Sequence, residues 1–183
     1  EVANDLAAKK IIPHSLPIKA YLRLAQKSRA LKAGEYQLNN RMNTLDMLGL
    51  FESGLSIQYQ FTIIEGWNIR ELLAALRQQT EIKQTLPAIG VPDDLMERLG
   101  EPGLHPEGMF LPETYRYSSG TSDIQFLRRA RSHMQDYLQQ AWAKRSDKAV
   151  VKTPYAALIL ASIVEKETGA AHERPLIAGV FTN

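Results

Sequence analysis

The sequence predicts an α+β protein: a small α/β subdomain over roughly the first 80 residues, followed by a mainly helical α+β domain that breaks off at its C-terminal end. Three observations carry that reading. Short helical patterns alternate with short strand-like runs as far as "RELLAALRQQ". Five prolines and four glycines then interrupt all periodicity between Leu86 and Tyr117. Beyond Thr121 apolar residues recur only at spacings of three and four. With 183 residues and 44% hydrophobic content, there is enough apolar material for one large domain or two small ones.

Taken in order, "PIKAYLRLAQKSR" from Pro17 sets Ile18, Leu22 and Ala25 at helical spacing, and Gly34 stops the pattern before a short strand at Tyr36 to Leu38. Asn43 or Thr44 caps the next helix and Gly54 ends it. "IQYQFTII" alternates as a half-buried strand does, and Asn68 caps a helix with Ile69, Leu72, Leu73 and Leu76 along one face. The strand, turn and capped-helix order occurs twice, a weak internal repeat. The segment from Leu86 to Tyr117 reads as ordered loops with one short helical interlude, the kind of segment that carries binding surfaces. Thr121 or Ser122 then caps a long helix with a stripe of Leu127, Ala130, Met134, Leu138 and Ala141, which leaves Arg128, Arg129 and Arg131 on its wet side. A helix from Pro154 to Gly169 follows, and "HERPLIAGVFTN" starts another that stops in mid-pattern, as if cut short.

Charge and composition exclude several classes of function. The 22 basic and 20 acidic residues interleave to a net charge of +2, so no nucleic-acid stripe stands out. The absence of cysteine removes disulfides, thiol catalysis and thiolate metal sites. His105 and His172 are isolated, without metal-ligand spacing, and read as structural. No apolar run of about 18 residues occurs and "EVANDLAAKK" is no signal peptide, so the chain as it stands is expected to be soluble, with an anchor or signal outside it left open.

The stretch "ASIVEKETGAAHERP" holds the chemistry. The most apolar helix of the chain, "PYAALILASIV", ends in Glu165 and Glu167. On a helical wheel Leu158, Ala161, Ser162 and Glu165 share a sector, whereas Glu167 falls beside Leu160 and Ile163. A carboxyl at the end of a buried helix loses hydration, which favours its neutral form and suits a proton donor near neutral pH. Alternatively both carboxylates reach solvent or pair with Lys166, His172 or Arg174, and periodicity does not decide between the two.

The residues "ASIVEKET", followed by "ERPLIAGVFTN" and preceded by "EGMFLPETYRY", resemble the signature of the YceG-like family of endolytic murein transglycosylases. "LKAGEYQL", "TLDMLGLFESG" and "FTIIEGWNIRELLAAL" resemble that family's LysM-like glycan-binding region. The resemblance implies a LysM-like region over residues 1–80 and the first part of a YceG-like catalytic domain over 81–183. It implies Glu165 as the catalytic acid, with Glu167 the second acid of the motif. Glu113 and Asn183 match positions of the family's motifs and are expected substrate contacts; from the residues themselves, Tyr115, Tyr117 and Phe110 are candidates to stack on sugar faces, and Ser162 and Thr168, one turn on either side of Glu165, are candidates at the same site. Packing of the aromatic rings, an anchoring role for Glu113 and hydroxyls bonded within their own helix stand as the alternatives.

On the same resemblance, the substrate is the peptidoglycan glycan strand and no metal or cofactor is needed. Peptidoglycan synthases are the expected partners. The whole protein is expected to carry a single N-terminal membrane helix, to sit in a bacterial inner membrane facing the periplasm, and to continue into further cleft-building motifs. The implied reaction breaks the β-1,4 bond between N-acetylmuramic acid and N-acetylglucosamine with one carboxyl group and no water, leaving 1,6-anhydro ends and so terminating strand growth. Two other classes remain at this point. One is a glycan-binding or scaffold module; the other is a hydrolase that pairs Glu165 with Glu113 and uses two carboxylates.

Overall fold

The computed structural model describes residues 2–25, 30–32, 34–147 and 149–182. Among them lie eight helices and one two-stranded antiparallel sheet, the mixed α+β content expected. The chain divides into two compact units, residues 1–58 and 59–183. The helix capped by Asn68 packs into the second unit's core.

The first unit holds α1 (Val2–Ala8), α2 (Leu16–Leu24) and α3 (Thr44–Ser53). Asn43 caps α3 reciprocally: its side chain accepts from the Asp46 amide, and the Asp46 carboxylate accepts from the Asn43 amide. Gly54 closes the helix at φ 74°, a left-handed conformation that a side chain there would strain. Leu6, Ile18, Leu22, Met47, Leu48 and Phe51 form its core. The expected strand at Tyr36 to Leu38 is not formed. This segment is tied to its surroundings by single bonds, Lys32 N to Phe51 O at 3.0 Å and Ile57 N to Glu35 O at 2.7 Å, and these do not extend into a ladder. The Tyr36 ring packs edge-on against Phe51.

In the second unit β1 (Gln58–Thr62) pairs with β2 (Thr114–Ser118). Thr62 lies opposite Thr114, their hydroxyls 2.8 Å apart, and the Ile63 amide donates to the Glu113 carbonyl. β2 was expected to be loop; its five residues, "TYRYS", bury alternate side chains but are too short for the alternation to stand out in sequence. Between the strands run α4 (Ile69–Arg77) and α5 (Leu95–Arg98), and after them come α6 (Asp123–Ala143), α7 (Pro154–Glu167) and α8 (Arg174–Val180). The core centres on Phe126, fully enclosed and met edge-on by Phe61 at 5.4 Å, Tyr115 at 5.3 Å and Tyr117 at 6.0 Å.

The start of α6 is fastened by Asp123, which is 1% exposed. Its carboxylate accepts from the Thr85 amide (2.7 Å), the Leu86 amide (2.8 Å), the Ile124 amide (2.7 Å) and the Thr85 hydroxyl. The arginines of α6 are not simply its wet side. Arg131 pairs with Glu101 at 3.0 Å with only 13% of its side chain exposed, Arg129 lies over the rings of Tyr115 and Phe126, and Arg128 donates to the Arg98 carbonyl. The apolar stripe fades toward the end of α6, where Leu138 is half-buried and Ala141 exposed. No helix among the described residues is long and apolar enough to cross a membrane.

Candidate active site

α7 starts with the Thr153 hydroxyl accepting from the Ala156 amide and with Pro154 in the first turn, where its missing N–H costs nothing. Its apolar composition suggests a buried helix, but only Val164 is buried, while Tyr155 and Ile159 are 47% and 46% exposed. The reason lies in what covers it. Among the described residues α7 packs on α6 and α8, Gly108 approaches Leu158, and Lys166 Nζ donates to the Gly66 carbonyl at 2.7 Å. Gly66 turns at φ 78°, a conformation suited to glycine, and so brings its carbonyl to the end of α7.

Glu165 lies on the last turn of this helix with 38% of its side chain exposed. Arg174, at the start of α8, places Nη2 3.3 Å from Glu165 Oε2. The apolar jacket expected from "AALILASIV" is therefore not closed around the carboxylate by the described residues; a guanidinium stands beside it instead.

The turn from α7 to α8 sets that pairing. Thr168 ends α7 in an extended conformation and is buried. Its Oγ1 accepts from the Ala170 amide at 2.9 Å and donates to Glu173 Oε2 at 2.7 Å, next to Arg174 in the chain. Thr168 is thus a latch on the turn; its hydroxyl meets Glu173. Replacing it with Val keeps the shape and deletes both bonds. The expected cost is about 1–2 kcal/mol, with earlier hydrogen exchange at the Ala170 amide. Unchanged urea denaturation and unchanged exchange would show that the latch contributes nothing.

The other expected site residues fall elsewhere. Ser162 returns its hydroxyl to the Ile159 carbonyl at 2.7 Å, so it satisfies its own helix and leaves Glu165 alone. Glu167 is exposed. Tyr115 and Tyr117 are 3% and 2% exposed, with hydroxyls donating to the Leu111 carbonyl and to Gln79 Oε1. Both rings pack in the core of the second unit, and Phe110 lies in the same core. Burial and then the Glu113 charge, opposed by Arg129, push the Tyr115 phenol up to about 12. Glu113 is half exposed and pairs with the ring of His133 at 3.2 Å, a partner twenty residues away for which the sequence has no signal. Asn183 lies outside the described residues.

The structure thus brings Glu165 and Thr168 together with Arg174 and Glu173. It gathers Glu113 and Tyr115 separately, around β2 and His133. A groove of about 320 Å³ runs along α7, lined by its Tyr155 and Leu158, by α6 and by the loop at Leu104 and Met109. His105 serves a local turn, its Nδ1 accepting from the Glu107 amide at 3.3 Å. The Glu107 carboxylate in turn accepts from the Ile69 amide at the start of α4.

Two curated relatives, from two strains of Streptococcus pneumoniae, are each named endolytic murein transglycosylase. Each is 27% identical over 210 aligned positions that take in 100% of this chain and 38% of the relative. The chain therefore spans 38% of the length of the curated relatives it matches. A crystal structure of a yceG-like protein from Listeria monocytogenes is 18% identical, covering 94% of this chain and 62% of that one, with a TM-score of 0.40. The model of the YceG-like family matches residues 1–183, the whole of the sequence that carries the Glu165 helix and its Arg174 partner, and the chain belongs to that family.

Proposed function

We propose that the protein carrying this chain is an endolytic peptidoglycan lytic transglycosylase that cuts the β-1,4 MurNAc–GlcNAc bond, leaves 1,6-anhydroMurNAc ends and thereby terminates nascent strands. The observation that carries this reading is Glu165: an accessible carboxyl in the "SIVEKET" segment of a YceG-like chain, paired through Oε2 with Arg174 and meeting no other partner among the described residues. The names of the pneumococcal relatives support the substrate class.

In this reading Glu165 gives its proton to the glycosidic oxygen as the C1–O bond breaks. The carboxylate left behind takes the proton of the C6 hydroxyl as O6 bonds to C1, which restores the acid and needs neither water nor a second carboxylate. Arg174 balances the negative charge through Oε2 between the two transfers and leaves Oε1 to carry the proton. Residues 1–80 serve as the glycan-binding region. The whole protein is anchored by one helix in the bacterial inner membrane, faces the periplasm and works beside peptidoglycan synthases.

Mass spectrometry of purified glycan strands digested with the full-length protein tests this. Anhydro ends at internal positions are the expected product. Reducing ends would replace the reading with a hydrolase, and intact strands would leave a binding module.

A further inference from the structure

The near balance of acidic and basic residues over the whole chain hides one segregated stretch. No acidic residue occurs between Asp5 and Glu35, and seven basic ones do. Four of them, Lys9, Lys10, Lys19 and Arg23, lie on α2 or in the connection before it, and none of the four meets a carboxylate among the described residues. α2 itself has two faces. Ile18 and Leu22 are buried in the first unit's core, whereas Leu16, Ala20, Arg23 and Leu24 fall on the opposite side of the helix, with Leu16 74% and Leu24 86% exposed. Tyr21 flanks them, and Ile11 in the connection is exposed as well. Lys10 occupies an unusual position. α1 ends in a turn closed by Ile11 N to Leu6 O at 2.9 Å and Lys10 N to Ala7 O at 3.0 Å, and Lys10 at its corner takes φ 56°, a place that glycine usually fills. No other non-glycine residue among the described residues has a left-handed backbone. A lysine kept at such a corner against the backbone's preference points to a use for its ammonium group outside the fold.

These features select among partners. A neutral sugar has no use for four cations without carboxylate partners, and a soluble polyanion has no use for two exposed leucines. An anionic bilayer takes both: leucine side chains enter the acyl boundary, while lysine and arginine stems lie along it and carry their charges to the headgroup phosphates. We propose that α2 and the connection before it form a peripheral docking face for an anionic phospholipid surface, with Leu16 and Leu24 inserted and Lys9, Lys10, Lys19 and Arg23 on the phosphates. Leu16 and Leu24 share one side of α2 and are eight residues apart, about 12 Å along the axis, so the helix lies flat in the interface instead of entering end-on. The contact is made by this face alone and depends neither on a spanning helix nor on the cleavage reading.

Flotation of the 183-residue chain with lipid vesicles tests this. Phosphatidylcholine vesicles containing about one third phosphatidylglycerol are expected to bind it at least about tenfold more tightly than phosphatidylcholine alone, and the difference should shrink as salt is raised. Leu16→Ser combined with Leu24→Ser, both at exposed positions, should weaken binding to the anionic vesicles about tenfold or more. Arg23→Gln should weaken it about fivefold. Lys10→Gly separates docking from folding, because glycine suits the left-handed corner: stability in urea should hold or rise while vesicle binding drops about fivefold. Equal binding to both kinds of vesicle, or binding to neither, overturns the docking face. Anionic binding that the double leucine variant keeps in full, and that dextran sulfate captures equally well, makes the stretch a polyanion site and overturns the membrane contact. Vesicle binding untouched by both Lys10→Gly and Arg23→Gln overturns it as well.

Discussion

Glu165→Gln in the full-length protein is expected to abolish 1,6-anhydro ends while leaving glycan binding and folding nearly intact. The amide keeps the shape and can still accept from Arg174, but it can neither give nor take the catalytic proton. Loss of one general acid or base usually costs about 10²- to 10⁴-fold, and here two transfers share one group, so the loss belongs at the upper end or beyond. Stability should barely move, since the Glu165–Arg174 pair is 38% and 47% exposed and pairs of that kind contribute about 0–1 kcal/mol. Glu167→Gln, at an exposed position on the same turn, is the matched control and should keep most activity. Comparable end formation by Glu165→Gln and wild type would defeat the assignment, and equal loss in both variants would mean that the two carboxylates act together.

The largest effect on stability is expected at Asp123. Removing its carboxylate with Ala takes the acceptor from the Thr85 and Leu86 amides, leaves a void at the buried Asp123 position and frees the loop from the start of α6, a loss of about 3–5 kcal/mol in urea denaturation. The same group gives the fold an acid dependence. Burial by itself would raise its pKa, but the bonds from the Thr85 hydroxyl and the Leu86, Thr85 and Ile124 amides outweigh that and bring it below the ordinary 3.8. A pKa depressed in the folded state means that the stabilisation is fully present above about pH 4 and is lost as the pH falls through the folded value. The urea midpoint of the wild type should therefore drop with acidification below pH 4, and Asp123→Asn should flatten that part of the curve. A variant that is no less stable than wild type, or that keeps the same acid dependence, would mean that the fastening is not made by this carboxylate.

How much of this was legible in the sequence depends on how local the signal is. Asn43, Asn68 and Ser122 each announce a helix start because the cap and its partner lie within three residues, and all three form reciprocal caps. Gly54 marks a helix end for the same reason. β2 escaped because a five-residue strand is defined by its partner, and that partner lies half a hundred residues earlier. The Leu86 to Tyr117 aromatics misled because a tyrosine in a proline-rich stretch reads the same whether its ring lines a cleft or fills a core. α7 misled in the opposite way: its composition belongs to a buried helix, and composition does not say what covers it. The Glu165–Arg174 pair could be named among the alternatives, since nine residues across a helical turn is a short reach. The Thr168–Glu173 latch and the His133–Glu113 pair follow only from the path of the chain.

The pairing of Thr62 with Thr114 also bears on how the second unit is assembled in time. It closes a loop of 52 residues, and ordering that much chain carries an entropic cost of about 3–4 kcal/mol before any side chain packs. The packing of α6 with α7 and of α7 with α8 joins elements that are consecutive in the chain and closes shorter loops. The meeting of the two strands over Phe126 is therefore the expected slow step. The helical segment bearing Glu165 contributes little to that barrier, so changes within it leave the rate of folding largely untouched and are felt instead in the rate at which the segment comes loose.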